Sequence, residues 1–153
     1  MGHTPARHFI GGEWIDQGTL GNSVNPATLA SVGQYHAGNA ALADSAAHCA
    51  KEAFEQTAWA QSPRLRAQAL FEIADAMEAA KNEIADLIVA ENGKIRTEAL
   101  GETMAGVSET RYYAGLARNI RGSMQETAPG NLSLFNREPA GVAGVIVPWN
   151  APV

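Results

Sequence analysis

The chain has 153 residues, with 11 Lys and Arg against 16 Asp and Glu, for a formal charge of −5. Its 46% hydrophobic and 18% charged residues exclude a disordered chain and predict about one domain, burying roughly two-thirds of its unfolded surface. The acidic balance excludes general binding to nucleic acid or anionic membrane, and the single Cys49 excludes a disulfide framework and any multi-thiolate metal site.

The start of the chain, Met1 to His8, has no apolar run behind its charges, so no secretory leader is expected. Gly2 fits myristoylation poorly, because the pattern wants Ser or Thr where Ala6 stands. The longest apolar run, residues 142–147, is too short to span a bilayer. Asn131-Leu132-Ser133 matches the glycosylation triplet, which without a leader is read as chance. The expected location is the cytoplasm.

Strand and turn character fills the region up to about His36. Gly11-Gly12 lies between the apolar pairs Phe9-Ile10 and Trp14-Ile15, a tight-hairpin signal. Asn25-Pro26-Ala27-Thr28 reads as a turn between Ser23-Val24 and a strand over 31–35.

The stretch from about Asn39 to Arg121 is helical. Asn39 caps a helix with Leu42, Ala46, Cys49 and Ala53 on its inner face. Ser62-Pro63 opens a second helix, in which Leu65, Ala69, Ile73 and Met77 recur every four residues. A third carries Ile84, Leu87 and Ile88 and stops at Asn92-Gly93. Thr97 opens a fourth, with Leu100, Met104, Val107, Tyr113, Leu116 and Ile120 as its apolar positions and Gly122 as its end.

After a polar Pro-Gly turn, residues 132–135 form a strand, read as an exposed arm. Residues 142–147 read as a buried strand of a parallel sheet, ended by Pro148. A parallel partner needs a crossover of about a dozen residues or more, and only six follow Val147. The expectation is an α/β domain cut off at its first nucleotide-side strand.

Pro148-Trp149-Asn150-Ala151-Pro152, following Glu138-Pro139-Ala140-Gly141-Val142-Ala143-Gly144-Val145-Ile146-Val147, resembles the P-W-N-x-P segment of NAD(P)-dependent aldehyde dehydrogenases. Phe9-Ile10-Gly11-Gly12-Glu13-Trp14, Asn25-Pro26-Ala27-Thr28, Ala53-Phe54, Trp59, Arg64-Leu65-Arg66, Glu91-Asn92-Gly93-Lys94 and Tyr112-Tyr113-Ala114-Gly115 follow in that family's order. Each is weak alone; their order over residues 9–153 carries the resemblance, which corresponds to roughly the first third of a family member.

The resemblance implies the N-terminal part of an aldehyde dehydrogenase fold: β-hairpins, a helical layer and the first strand of a Rossmann-like cofactor domain. Residues 1–122 and 138–153 would form an incomplete cofactor-binding domain and residues 123–137 an oligomerisation arm, so that Leu132, Leu134 and Phe135 face another subunit or make an ordinary edge strand. The family oxidises an aldehyde to a carboxylic acid. A cysteine thiolate attacks the carbonyl, hydride passes to NAD or NADP, and water hydrolyses the thioester with a glutamate as base.

Asn150 matches the oxyanion-hole asparagine; a neutral amide donates to a developing O⁻ without depending on a protonation state. Its plainer reading is a turn cap. Ile146, Val147, Pro148 and Trp149 match the stretch lying against the cofactor, and as residues alone they read as strand end and core. Gly141-x-x-Gly144 is not a phosphate fingerprint, because no helix opens there.

Some members bind a structural monovalent cation, which would place Ser23, Val24 and Glu102 around it; no metal site is assigned from the residues themselves. Cys49 reads as structural, because adjacent His48 points about 100° away on a helix. Lys94 reads as a helix-end cation. His3, His8, His36 and His48 lack ligand spacing. Ala151 replaces a frequent aromatic, which bears on the aldehyde accepted. With neither nucleophile nor base of that mechanism, the chain alone is expected to be inactive. The alternative is a non-catalytic interaction or oligomerisation module.

Overall fold

Backbone geometry sets the first turns. In the computed structural model, which describes residues 4–153, β1 (His8–Ile10) pairs antiparallel with β2 (Glu13–Ile15), placing Phe9 opposite Trp14. Gly11 and Gly12 join them at φ 63° and 87°, the positive pair that a two-residue hairpin favours. The Phe9 and Trp14 rings lie 5.0 Å apart, and the Arg7 guanidinium sits 5.5 Å from the Trp14 ring centre. Gly2 and His3 lie outside the described residues.

The second hairpin joins β3 (Thr19–Val24) to β4 (Ser31–Ala37). At its turn, Asn25 Oδ1 accepts from the N–H groups of Ala27 (2.9 Å) and Thr28 (3.1 Å). Leu29 then adopts φ 61° and donates its N–H to the Asn25 carbonyl.

Four helices follow, and their caps explain most of their limits. Asn39 Oδ1 accepts from Leu42 N–H to open α1 (Ala40–Gln56), and Ser62 Oγ accepts from Leu65 N–H to open α2 (Pro63–Ala79). α3 (Lys81–Asn92) ends in Gly93 at φ 79°, a left-handed cap whose N–H donates to the Val89 carbonyl. α4 (Arg96–Leu116) differs from expectation at both ends. Ile95 occupies the N-cap position and Thr97 lies within the first turn. The far end stops before Ile120, because Asn119 donates its side-chain N–H to the Gly115 carbonyl and the last turns tighten there.

Helix α4 is the centre of the packing, lying along α2 and α3. The buried contact is made of small residues: Ala67 and Ala74 from α2, Ala85 with Ile88 from α3, and Ala99, Val107 and Ala114 from α4. Buried Thr103 donates its hydroxyl to the Ala99 carbonyl at 2.9 Å, so its polar atom carries no unpaired cost. Arg111 closes the outer edge of the α2–α4 contact on Asp75 and Glu78, both at 2.7 Å. Those two carboxylates, Asp75 first, raise the guanidinium pKa.

Several expected inner positions face outward instead. Leu65 and Ile73 of α2, Leu87 of α3, and Tyr113 and Leu116 of α4 are exposed, as is Ala53 of α1. Alanines allow helix axes to come close, so they take the contact face and turn the larger residues away.

The third hairpin, β5 (Ser123–Ala128) with β6 (Asn131–Phe135), turns at Pro129-Gly130 and places Met124 opposite Leu134. Residues 142–147 correct the sequence reading: they are assigned to no strand, and Val145, Ile146 and Val147 are exposed. The strands of the described residues pair as three two-stranded antiparallel hairpins, with one parallel bridge from Ala6 to Tyr35, and none of them pairs with residues 142–147.

The accessible surface is 11317 Å², against roughly 7,400 Å² for a compact monomer of this mass, so closer to half than two-thirds of the unfolded surface is buried. Among the described residues, no helix is long and apolar enough to cross a membrane.

Core assignments are tested by a contrasting pair. Ala74→Leu should overpack the α2–α4 contact and lower unfolding free energy by about 1–3 kcal/mol in urea titrations. Ile73→Ala, one position away and 50% exposed, should cost less than about 1 kcal/mol.

Candidate functional site

The segment that begins at Trp149 is held by polar groups from the helical layer. Gly93 turns the chain out of α3, leaving Asn92 on the last helical turn and Lys94 just beyond it. Asn92 Nδ2 donates to the Trp149 carbonyl at 2.5 Å, and Lys94 Nζ donates to the Asn150 carbonyl at 2.5 Å.

Behind the ammonium stands Glu102 of α4. One carboxylate oxygen accepts from Lys94, and the other accepts from the Val153 N–H at 3.2 Å. Only 21% of the Lys94 side chain and 12% of the Glu102 side chain are exposed. Low exposure strengthens such a pair, and removing one partner would leave the other charge uncompensated. Val153 completes the contact against Gly106, where an added Cβ would lie 3.0 Å from its Cγ1.

These contacts frame an open apolar groove of about 510 Å³ between α3, the β3–β4 turn and the terminal segment, with Pro26, Leu87, Ile88, Trp149, Pro152 and Val153 on its walls.

Each expected site residue has a definite place. Asn150 lies in a turn with its residue exposed and its main-chain carbonyl tethered. Trp149 is 84% exposed and Ile146 97%, with Val147 and Pro148 exposed beside them. This line of apolar atoms offers contact to a flat ring or a ribose. It presents no charged side chain over residues 139–150 for a pyrophosphate. Gly141 has φ 97° and opens no helix, so no phosphate loop forms there.

Other candidates are employed elsewhere. Glu102 has both oxygens engaged, one by the Lys94 ammonium and the other by the Val153 N–H. Among the described residues, no three His, Cys, Asp or Glu side chains gather as a metal set. Cys49 is half-buried on α1 against the first hairpin, where a Cβ on Gly11 would meet its sulfur at 3.4 Å. His48 instead pairs with Glu52 at 3.4 Å, and His8 lies 3.2 Å from the Gln17 carbonyl.

Sequence reading missed the work of Lys94. It stands eight residues before Glu102 with a helix start between them, a spacing that no helical periodicity marks.

Comparison with known proteins agrees with the family resemblance. The aldehyde dehydrogenase family model matches residues 14–153. The chain is 35% identical to cytosolic 10-formyltetrahydrofolate dehydrogenase of Xenopus tropicalis, over 97% of this chain and 17% of that protein. It is 36% identical to an aldehyde dehydrogenase of Paracoccus denitrificans (strain Pd 1222), over 95% of this chain and 29% of that one.

The fold superposes on the NAD-dependent aldehyde dehydrogenase from Sinorhizobium meliloti with a TM-score of 0.90 at 29% identity, covering 97% of this chain and 30% of that one. A betaine aldehyde dehydrogenase from Staphylococcus aureus, solved in complex with NAD+, gives 0.88 at 28% identity over 99% of this chain and 32% of that one. The chain therefore spans less than a third of the length of each of these relatives. A family match over residues 14–153, with hairpins and helical layer superposing on solved members, makes this chain a member of the aldehyde dehydrogenase family.

Proposed function

We propose that this chain supplies the oxyanion-stabilising segment of an NAD- or NADP-dependent enzyme that oxidises an aldehyde to a carboxylic acid. Asn150 is the donor. As a thiolate adds to the aldehyde carbon, the carbonyl oxygen gains negative charge, and the Asn150 amide N–H would donate to it. The amide needs no change of protonation, so its donation is independent of pH through the working range. Ile146, Val147, Pro148 and Trp149 supply apolar contact to the cofactor, which when bound would accept the hydride.

Support comes chiefly from one observation: Asn150 is exposed while the main chain on both sides of it is tied to the helical layer. A turn cap alone would not require three separate anchors.

Cys49, the sole cysteine, lies against β1–β2 and not against the terminal segment. The 153-residue chain should therefore show no steady formation of reduced nicotinamide from NAD(P)+ and aldehydes, followed by its absorbance; sustained turnover would refute this assignment. Exchanged for the matching segment of the Paracoccus denitrificans enzyme, it should support aldehyde oxidation. In that exchanged enzyme, Asn150→Ala should lower kcat by about 10²–10³-fold.

A second reading concerns β5–β6. Met124, Leu132 and Leu134 fall on one face of this free ribbon and are exposed. An isolated two-stranded ribbon is marginal in water, and apolar residues on one face favour a covering surface. We propose that residues 123–137 form an arm that packs on another copy of the chain. Sedimentation should give a dimer or larger species, and Leu132→Glu with Leu134→Glu should shift it toward monomer; a wild-type monomer at all accessible concentrations would exclude the arm's role.

A further inference from the structure

Resting on the reading of Asn150 as the oxyanion donor, we propose that Lys94, backed by Glu102, is a positioning residue that fixes where the Asn150 amide is presented.

An oxyanion donor must sit within a fraction of an ångström of its working place, and a displacement of about 1 Å can cost about 10²-fold in rate. Something must therefore hold the backbone at residue 150. A sheet ladder does not do so in this chain, because residues 142–147 belong to no strand and stand exposed. The holding contacts come from the helical layer: Asn92 on the Trp149 carbonyl, Lys94 on the Asn150 carbonyl, and Glu102 on the Val153 N–H. They engage three different peptide groups within five residues.

Lys94 is the central member. A lysine stem has many rotamers, and freezing it on a single carbonyl costs about 1.5–2 kcal/mol. Glu102 offsets that cost by binding the same ammonium, so the donor is held before any chemistry begins. Glu102 is itself fixed, because neighbouring Thr103 and Ala99 are fully buried in the α4 packing. On the other side, left-handed Gly93 releases Lys94 from the axis of α3. The ion pair thus connects two packed helices to the one turn that carries Asn150. Lys94 holds the main-chain oxygen of residue 150 and leaves its side-chain amide to the substrate.

The test uses the full 153-residue chain labelled with ¹⁵N, reading backbone order parameters of residues 149–151 and 153. In the wild type these should lie near about 0.85, and Lys94→Met should drop them below about 0.6 while amides of α2 and α4 stay unchanged. Lys94→Arg should restore most of the order, because a guanidinium can also reach a carbonyl and a carboxylate together. Glu102→Gln should loosen the segment less than Lys94→Met, since it keeps an oxygen for the Val153 N–H.

A Lys94→Met segment as rigid as the wild type, or a loss of order spread equally through α4, would overturn the proposal. So would a wild-type segment already mobile. If Lys94→Met does not fold by circular dichroism, Glu102→Gln decides on the same two outcomes.

Asn150→Ala should leave the segment ordered, because the clamp holds main chain. Failure of the clamp is thereby separated from failure of the oxyanion reading, which would appear only as an unchanged kcat of Asn150→Ala in the exchanged enzyme.

Discussion

The close approach of α4 to α2 and α3 is the contact on which the rest of the chain depends. It is made by alanines from all three helices, with Ile88, Val107 and Thr103 filling between them. Small side chains bury little apolar area each, but they bring helix backbones together and extend dispersion contact along both interfaces. Thr103 tolerates this setting because its hydroxyl bonds back to the Ala99 carbonyl. Arg111, bridging to Asp75 and Glu78, fastens the same interface at its rim, where solvent leaves such pairs a modest share of the stability.

From that packed unit the terminal segment is suspended. Because α3 and α4 have fixed relative positions, the last residue of α3, the residue after Gly93 and one side chain of α4 can meet the same five-residue stretch. Such point contacts differ from a ladder. A ladder spreads its hydrogen bonds along a strand and tolerates loss of one, whereas a three-point clamp concentrates the constraint on a few groups. The ion pair at its centre gains from low exposure, and removing either partner would cost more than its net worth.

The surface tells the complementary story. Exposed Leu65, Ile73 and Leu87 on the helices, Met124, Leu132 and Leu134 on β5–β6, and residues 145–147 with Trp149 lie on an accessible surface of 11317 Å², against roughly 7,400 Å² for a compact monomer of this mass. The chain spans under a third of the length of the relatives it matches.

Much of the architecture was legible in local signals. Gly11-Gly12, Asn25-Pro26, Asn39, Ser62-Pro63 and Asn92-Gly93 act through their own φ angles or through side-chain bonds to peptides two to four residues away, and each produced the expected turn or helix limit. Periodicity was less secure. Leu65 and Ile73 marked an apolar stripe, yet Ala67 and Ala74 were the buried positions. Hydrophobicity alone ranks a leucine above an alanine, while helix contact selects for size as well. At the end of α4, Gly122 was the expected stop, but Asn119 capped the Gly115 carbonyl first.

The candidate site divides along the same line. Residue order and type by themselves determined the hairpins, the helical middle, the family resemblance and the identity of Asn150 as the residue to examine. Only the tertiary structure decided that residues 142–147 lie exposed, that Glu102 serves Lys94 and Val153, and that Lys94 holds the Asn150 carbonyl. Turns and caps are settled within a few bonds of the residues that cause them, so a sequence displays them directly. A contact between residues 94 and 150 depends on how three helices pack before the chain returns, and no local pattern encodes that geometry.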